Sequence, residues 1–134
     1  MVSVGAASSG GPPVGLGVDL VDVARFARVL ARRPKLADRL FTSGESTYAG
    51  TLANPAPSLA ARFAAKEAVM KALGVGLGAF SFRDVEVQRQ PTGAPSLVLS
   101  GRAARLASER HIRSWVVSLT HTSTTAAAVV LALA

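Results

Sequence analysis

An α+β fold, a mostly antiparallel sheet packed around one long central helix, is predicted by three features of the sequence. The valine-rich run "VGLGVDLVDV" (14–23) reads as a buried strand. The segment "SLAARFAAKEAVMKAL" (58–73) places Leu59, Phe63, Met70 and Leu73 on one helical stripe, with alanines filling around them. Later segments return to a period of two: "DVEVQRQ" (84–90) and "SWVVSLTH" (114–121) alternate, and "SLVLS" (96–100) answers the first across a "PTGAP" turn at 91–95.

Each element has a local reason. Residues 1–13, "MVSVGAASSGGPP", lack the basic start and apolar middle of a signal peptide and read as a flexible tail before a single domain over 14–134. Asp19 interrupts the first strand. Asp22 is placed to cap a helix over 23–33, whose buried stripe is Val23, Phe26, Ala27 and Leu30. Arg25, Arg28 and Arg32 share its opposite face. Pro34 breaks that helix, a short helix follows at 35–40, and another turn at 43–48 begins behind Thr42 or Ser43. Ser58 is the expected cap of the long helix, and "GVGLG" (74–78) ends it in an amide-exposing turn. Residues 102–111 are helical in pattern. The strand at 114–121 sets Trp115, Val117, Leu119 and His121 on one face. "TTAAAVVLALA" closes the chain as a further strand, although its alanines also suit a helix.

Composition bounds the function. The 134 residues are 49% hydrophobic and contain no cysteine, which excludes disulfides and thiolate metal sites. The apolar C-terminal run is about half the length a membrane span needs. A soluble cytoplasmic protein is expected. The net charge of +7 calls for an acidic partner: nucleic acid, anionic lipid, a phosphorylated ligand or an acidic protein. Arg25, Arg28, Arg32, Arg33, Lys35 and Arg39 crowd one segment whose only acid is Asp38. A nucleic-acid-binding module without catalysis is the alternative reading of this charge. Against it stand 5% aromatic content, no binding motif, and acids placed where phosphate repulsion would be worst.

Those acids carry the chemistry. Asp19 sits inside an apolar strand, where a carboxylate is costly unless something binds it. Lys66 projects near the middle of the long helix's apolar stripe, with Glu67 and Lys71 on its flank. Glu67 and Lys71 have the spacing of a helical salt bridge. Taken with Asp19, Glu67 also suits a hard-cation site, since Mg²⁺ takes few protein carboxylates and fills its shell with phosphate oxygens and water. A lysine one turn away would reach the same phosphates, and the glycine turn would add amides. His121, with Ser118, Thr120 and Thr122 nearby, reads either as structural or as a phosphate clasp. His111, in "SERHIR", reads as exposed. No GxSxG elbow supports a serine hydrolase.

Four segments, "GVDLVDVARF" (17–26), "RFAAKEAVMKALGVG" (62–76), "GAP" (93–95) and "VSLTHT" (117–122), resemble the holo-acyl-carrier-protein synthases, the small bacterial type of 4′-phosphopantetheinyl transferase. The likeness runs in register from about Val14 to the C-terminus. The sequence departs in its extra N-terminal segment, in Thr120 where serine is more common, and in Ala94 within a turn that often carries lysine. The resemblance implies a 4′-phosphopantetheinyl transferase-like fold and Mg²⁺-dependent transfer of the phosphopantetheine arm of coenzyme A to a serine of apo acyl carrier protein. Asp19 and Glu67 would hold the metal, Glu67 would help deprotonate the serine, and Lys71 would neutralise charge on the phosphates. Coenzyme A contacts are implied for Arg62, Lys71, Gly74 and Gly76, and for Pro95, His121 and Thr122. Also implied are a homotrimer with active sites between subunits and docking of the acidic carrier on Arg25, Arg28 and Arg32.

Overall fold

The computed structural model describes residues 2–5 and 10–134. The elements are β1 (Val2–Gly5), β2 (Pro13–Asp22), α1 (Val23–Arg32), α2 (Leu36–Leu40), α3 (Ser43–Ala49) and α4 (Ala56–Leu73). A 3₁₀ turn (Phe82–Asp84), β3 (Val85–Arg89), β4 (Pro95–Leu99), α5 (Gly101–Glu109), β5 (Ser114–His121) and β6 (Thr125–Leu133) follow. One sheet has the order β1-β5-β6-β2 and the other pairs β3 with β4, every pairing antiparallel. Part of the expected tail is thus strand: Val2–Gly5 lies against β5, with Val2 opposite Thr120, and Pro13 already opens β2. Met1 and residues 6–9 lie outside the described residues.

The caps explain the short helices. Asp22 accepts from the Arg25 amide at 2.8 Å, as the sequence predicts. Thr42 opens α3 with a full capping box, its hydroxyl taking the Glu45 amide while Glu45 reaches back to the Thr42 amide. Ser58 is not the cap of α4. That helix starts three residues earlier, after Pro55, with Pro57 in a first turn whose amides need no helical partner. Ser58 instead receives a hydrogen bond from Arg62 Nη1. At the far end Gly74 adopts φ 71°, a left-handed conformation in which its amide and that of Val75 return to Lys71 and Met70.

Helix α4 packs across β2, β6 and β5 and is buried nearly all round rather than along one stripe. Its alanines face the sheet. Ala126, Ala128, Val130 and Ala132 of β6 meet them, and this alternating burial makes the alanine-rich C-terminus a strand. Close approach is obligatory here, because a Cβ on Gly17 would overlap the Ala68 carbonyl. The outer side of β2 is open: Val14, Leu16, Val18 and Leu20 are 52%, 63%, 52% and 68% exposed. The strand expected to be buried is buried on one face in the single chain.

Lys66 explains the other side of α4. It is neither at a surface nor stretched toward one, being fully buried. Its ammonium has three protons and three acceptors: Glu45 Oε1 at 2.8 Å, the Phe82 carbonyl at 3.0 Å and the Val85 carbonyl. Glu45 Oε2 takes the Val87 amide at 3.0 Å. One ion pair therefore fastens α3, α4 and the start of β3. Desolvation holds the Lys66 pKa below its ordinary value, and Glu45 opposes that shift.

Lys66→Met leaves a buried carboxylate without its cation and should cost about 3–5 kcal/mol in urea unfolding. Glu45→Gln should cost less in the Lys66→Met background than in the wild type, because the shared interaction is already lost. Additive losses would show the two groups to be energetically independent.

Candidate functional site

Asp19, Glu67 and Lys71 come together at the edge of the sheet. Asp19 lies on the helix-facing side of β2, opposite Ala128, and Lys71 reaches it from the last turn of α4. Lys71 Nζ sits 3.0 Å from Asp19 Oδ1 and 2.9 Å from the Val18 carbonyl. Among the described residues no Glu67–Lys71 salt bridge forms. Lys71 crosses to β2 instead of pairing along its own helix. Glu67 is half-buried, and its pKa is raised first by desolvation and then by the Asp19 charge, against the lowering effect of Lys71.

Two carboxylates with one exposed lysine between them suit a divalent cation that brings further anionic ligands. Among the described residues no group of three His, Cys, Asp or Glu could hold a metal. Mg²⁺ requires no such group, since one or two carboxylates suffice when phosphates complete its shell. The Asp19 charge raises the Glu67 pKa more than Lys71 lowers it, so Glu67 sits in negative potential that Lys71 does not fully offset.

A second group of residues meets elsewhere. A cavity of about 350 Å³ is lined by Tyr48, Arg62, Arg89, Pro95 and His121 among others. Three sequence-predicted residues, Arg62, Pro95 and His121, thus share one wall system. Arg62 is 5% exposed, stacks 4.7 Å from the Tyr48 ring centroid, and its Nε has no partner among the described residues. Thr122 is not part of this cavity. Its hydroxyl accepts from the Thr124 and Thr125 amides and shapes the β5–β6 hairpin. Gly74 and Val75 spend their amides on closing α4, so the exposed Gly76 and Leu77 carry the open part of that turn.

The two groups do not meet within one chain. Arg62 and Lys71 are nine positions apart on α4. At about 100° and 1.5 Å per residue they project half a turn out of phase and about 13 Å apart along the axis.

The basic face of α1 is as the sequence predicts, with Arg25, Arg28 and Arg32 exposed. Phe26 stacks on Phe63 at 5.2 Å, and Phe63 precedes Glu67 by one turn of α4. This places α1 beside the carboxylate group. Glu45, Tyr48 and Arg89 were not singled out from sequence. Only Glu45 had a legible sign, the T-x-x-E capping pattern.

Residues 15–130 match the 4′-phosphopantetheinyl transferase superfamily. The chain belongs to that family. Within it, holo-[acyl-carrier-protein] synthases are close relatives. The one from Salinispora arenicola is 51% identical over 120 residues, covering 89% of this chain and 97% of the relative. The one from Moorella thermoacetica is 47% identical over 115 residues, covering 86% and 90%. A crystal structure of the Neisseria meningitidis synthase superposes with a TM-score of 0.84 at 30% identity, covering 92% of this chain and 100% of that one. The Helicobacter pylori synthase, solved in complex with coenzyme A, has a TM-score of 0.77 at 32% identity, covering 87% and 98%. The phosphopantetheinyl transferase fold is therefore the α+β arrangement expected from sequence. No helix among the described residues is long and apolar enough to cross a membrane.

A metal-free test follows from Glu67. Because its folded pKa lies above the ordinary 4.5, the unfolded chain loses that proton first. Stability then falls as pH rises from 4.5 through the folded pKa, and stays lower above it. Without divalent ions, Glu67→Gln should raise the urea midpoint more at pH 7 than at pH 4. Equal effects at both would remove the raised carboxyl from the site.

Proposed function

We propose that this phosphopantetheinyl transferase moves the 4′-phosphopantetheine arm of coenzyme A to a serine of apo acyl carrier protein, and that it does so at sites shared between subunits. The observation that carries the reading is the Asp19–Lys71–Glu67 cluster on the family's lysine-glutamate helix, at the edge of an otherwise apolar sheet. In the reaction the serine Oγ–phosphorus bond forms and the bridging phosphorus–oxygen bond breaks. Adenosine 3′,5′-bisphosphate leaves. Glu67, directly or through a water, would take the serine proton. Lys71 lies where charge on the departing phosphate would be offset. Asp19 and Glu67 would hold Mg²⁺, whose contribution is charge neutralisation on the pyrophosphate.

Coenzyme A would lie between Lys71 and the Gly74–Gly76 turn of one subunit and Arg62, Pro95, His121 and Thr122 of the next. Two features support association between copies, for which the resemblance implies a trimer. The phosphate-binding residues of α4 point in opposite directions, and the outer side of β2 exposes four large apolar residues that a second copy would cover. The arginine face of α1, next to the carboxylates, would receive the acidic carrier and speed encounter. Coenzyme A and the carrier put the enzyme's work in the cytoplasm.

Incubation with apo carrier, coenzyme A and Mg²⁺ should add one phosphopantetheine to the carrier's mass. Asp19→Ala and Glu67→Ala should abolish that gain with circular dichroism unchanged, and chelation should do so reversibly. Full activity of folded Glu67→Ala would defeat the assignment.

Sharing has its own test. Lys71→Ala and His121→Ala proteins, each inactive, should regain transfer when unfolded together and refolded, since some interfaces then carry both residues intact. No recovery in proven mixed trimers would place Lys71 and His121 in the same working site of one chain.

A further inference from the structure

The Arg62–His121 cavity holds more positive charge than the family motifs account for. Arg89, the last residue of β3, lies outside all four motif segments and yet lines the same cavity. Its guanidinium carbon is 5.0 Å from the Tyr48 ring centroid, and that of Arg62 is 4.7 Å from the same ring. Arg89 Nη1 also donates to the Tyr48 hydroxyl. One phenol thus gathers two guanidiniums that repel each other. No acidic side chain lines the cavity among the described residues. Burial pushes the Arg62 pKa down against the Glu45 and Tyr48 charges, and the Arg89 charge adds a smaller push in the same direction as burial. Arg62 Nε is buried without an acceptor among the described residues. The arrangement is built and charged, and an anion would complete it.

We propose that Arg89, braced by Tyr48, is a binding and specificity residue for a phosphate monoester in this cavity, where with Arg62 it takes the 3′-phosphate of the coenzyme's nucleotide. This rests on the coenzyme A reading above. A monoester fits better than the pyrophosphate for two reasons. A dianion matches two guanidinium forks, and the residues assigned to the pyrophosphate project from the opposite side of α4. Tyr48 acts through Arg89. Its ring and hydroxyl hold the guanidinium in place before the ligand arrives, so less rotamer freedom is lost on binding. The element would let the enzyme separate nucleotides that carry the 3′-phosphate from those that lack it.

Isothermal titration of the assembled protein with adenosine 3′,5′-bisphosphate and with adenosine 5′-monophosphate tests this. Wild type should prefer the bisphosphate. Arg89→Met should weaken the bisphosphate about ten- to a hundredfold, the loss typical of a charged hydrogen-bonding partner, and change the monophosphate by less than about threefold. Arg89→Lys should fall between the two. Tyr48→Phe keeps the ring and removes the hydroxyl, so it should weaken the bisphosphate by about threefold and leave the monophosphate alone. Arg89 is exposed, so these variants should melt near the wild type. If Arg89→Met binds the bisphosphate as wild type does, or loses both nucleotides equally, Arg89 is not the 3′-phosphate residue, while the coenzyme reading stands. If wild type itself binds no bisphosphate, the coenzyme reading falls and this proposal with it.

Discussion

The rotation of α4 about its own axis is the constraint on which the rest of the structure depends. A helix of alanines against a sheet of glycines and alanines has little side-chain relief to stop it turning, because small side chains make shallow grooves. Lys66 stops it. Its three donors are matched by three acceptors from α3 and from the chain entering β3. Turning the helix would strand a buried charge, at a cost comparable with a large part of a domain's stability. With Lys66 fixed, the 100° step of the helix fixes the others. Glu67 and Lys71 face β2, and Arg62 faces the cavity beside His121.

The same geometry accounts for the division of the site. A helix can present charged groups at one edge or at two, and here it presents them at two. Asp19, Glu67 and Lys71 gather where β2 ends the sheet, and Arg62 gathers with Pro95 and His121 near the end of β5. A ligand of moderate length could not touch both groups on one copy without passing around α4. On the proposed reading each copy would supply two half-sites, which suits a chain of 134 residues with limited surface for enclosing a nucleotide.

The parts of this arrangement legible in sequence were those governed by local periodicity and by motif. The caps at Asp22 and Thr42, the strand alternation at 114–121 and the helical spacing through Leu73 are local facts. The motif residues Asp19 and Glu67 were legible because a carboxylate inside an apolar segment is anomalous wherever it lies. Partners separated by many residues were not. Nothing in the sequence links Lys66 to Glu45, 21 positions away, or Arg89 to Tyr48, 41 away. The Glu67–Lys71 spacing pointed to a local pair, but Lys71 found a carboxylate and a carbonyl across the sheet edge, 52 and 53 positions back in the chain. Local spacing shows which pairs can form, and tertiary packing decides which do.

The strand β2 shows how a correct pattern can mislead about a single chain. Its sequence is apolar at nearly every position, as in a strand covered on both faces. On the inner face Gly15, Gly17 and Asp19 serve α4, the glycines by leaving room for the Ala72 and Ala68 carbonyls and the aspartate by meeting Lys71. On the outer face Val14, Leu16, Val18 and Leu20 remain in solvent beside Val129. An edge strand with such a face is normally blunted by charge or by proline to avoid wrongful association. Here Pro13 stands at one end, the only charged side chains in the strand are Asp19 and Asp22, and the aliphatic row between is left intact. A row of this kind on a strand that also carries the Asp19 carboxylate would tie assembly to the proposed chemistry. Covering the outer side of β2 would stiffen the backbone from which Asp19 projects and the Val18 carbonyl that holds Lys71. Subunit association would then pre-organise one half-site as it brings the other within reach.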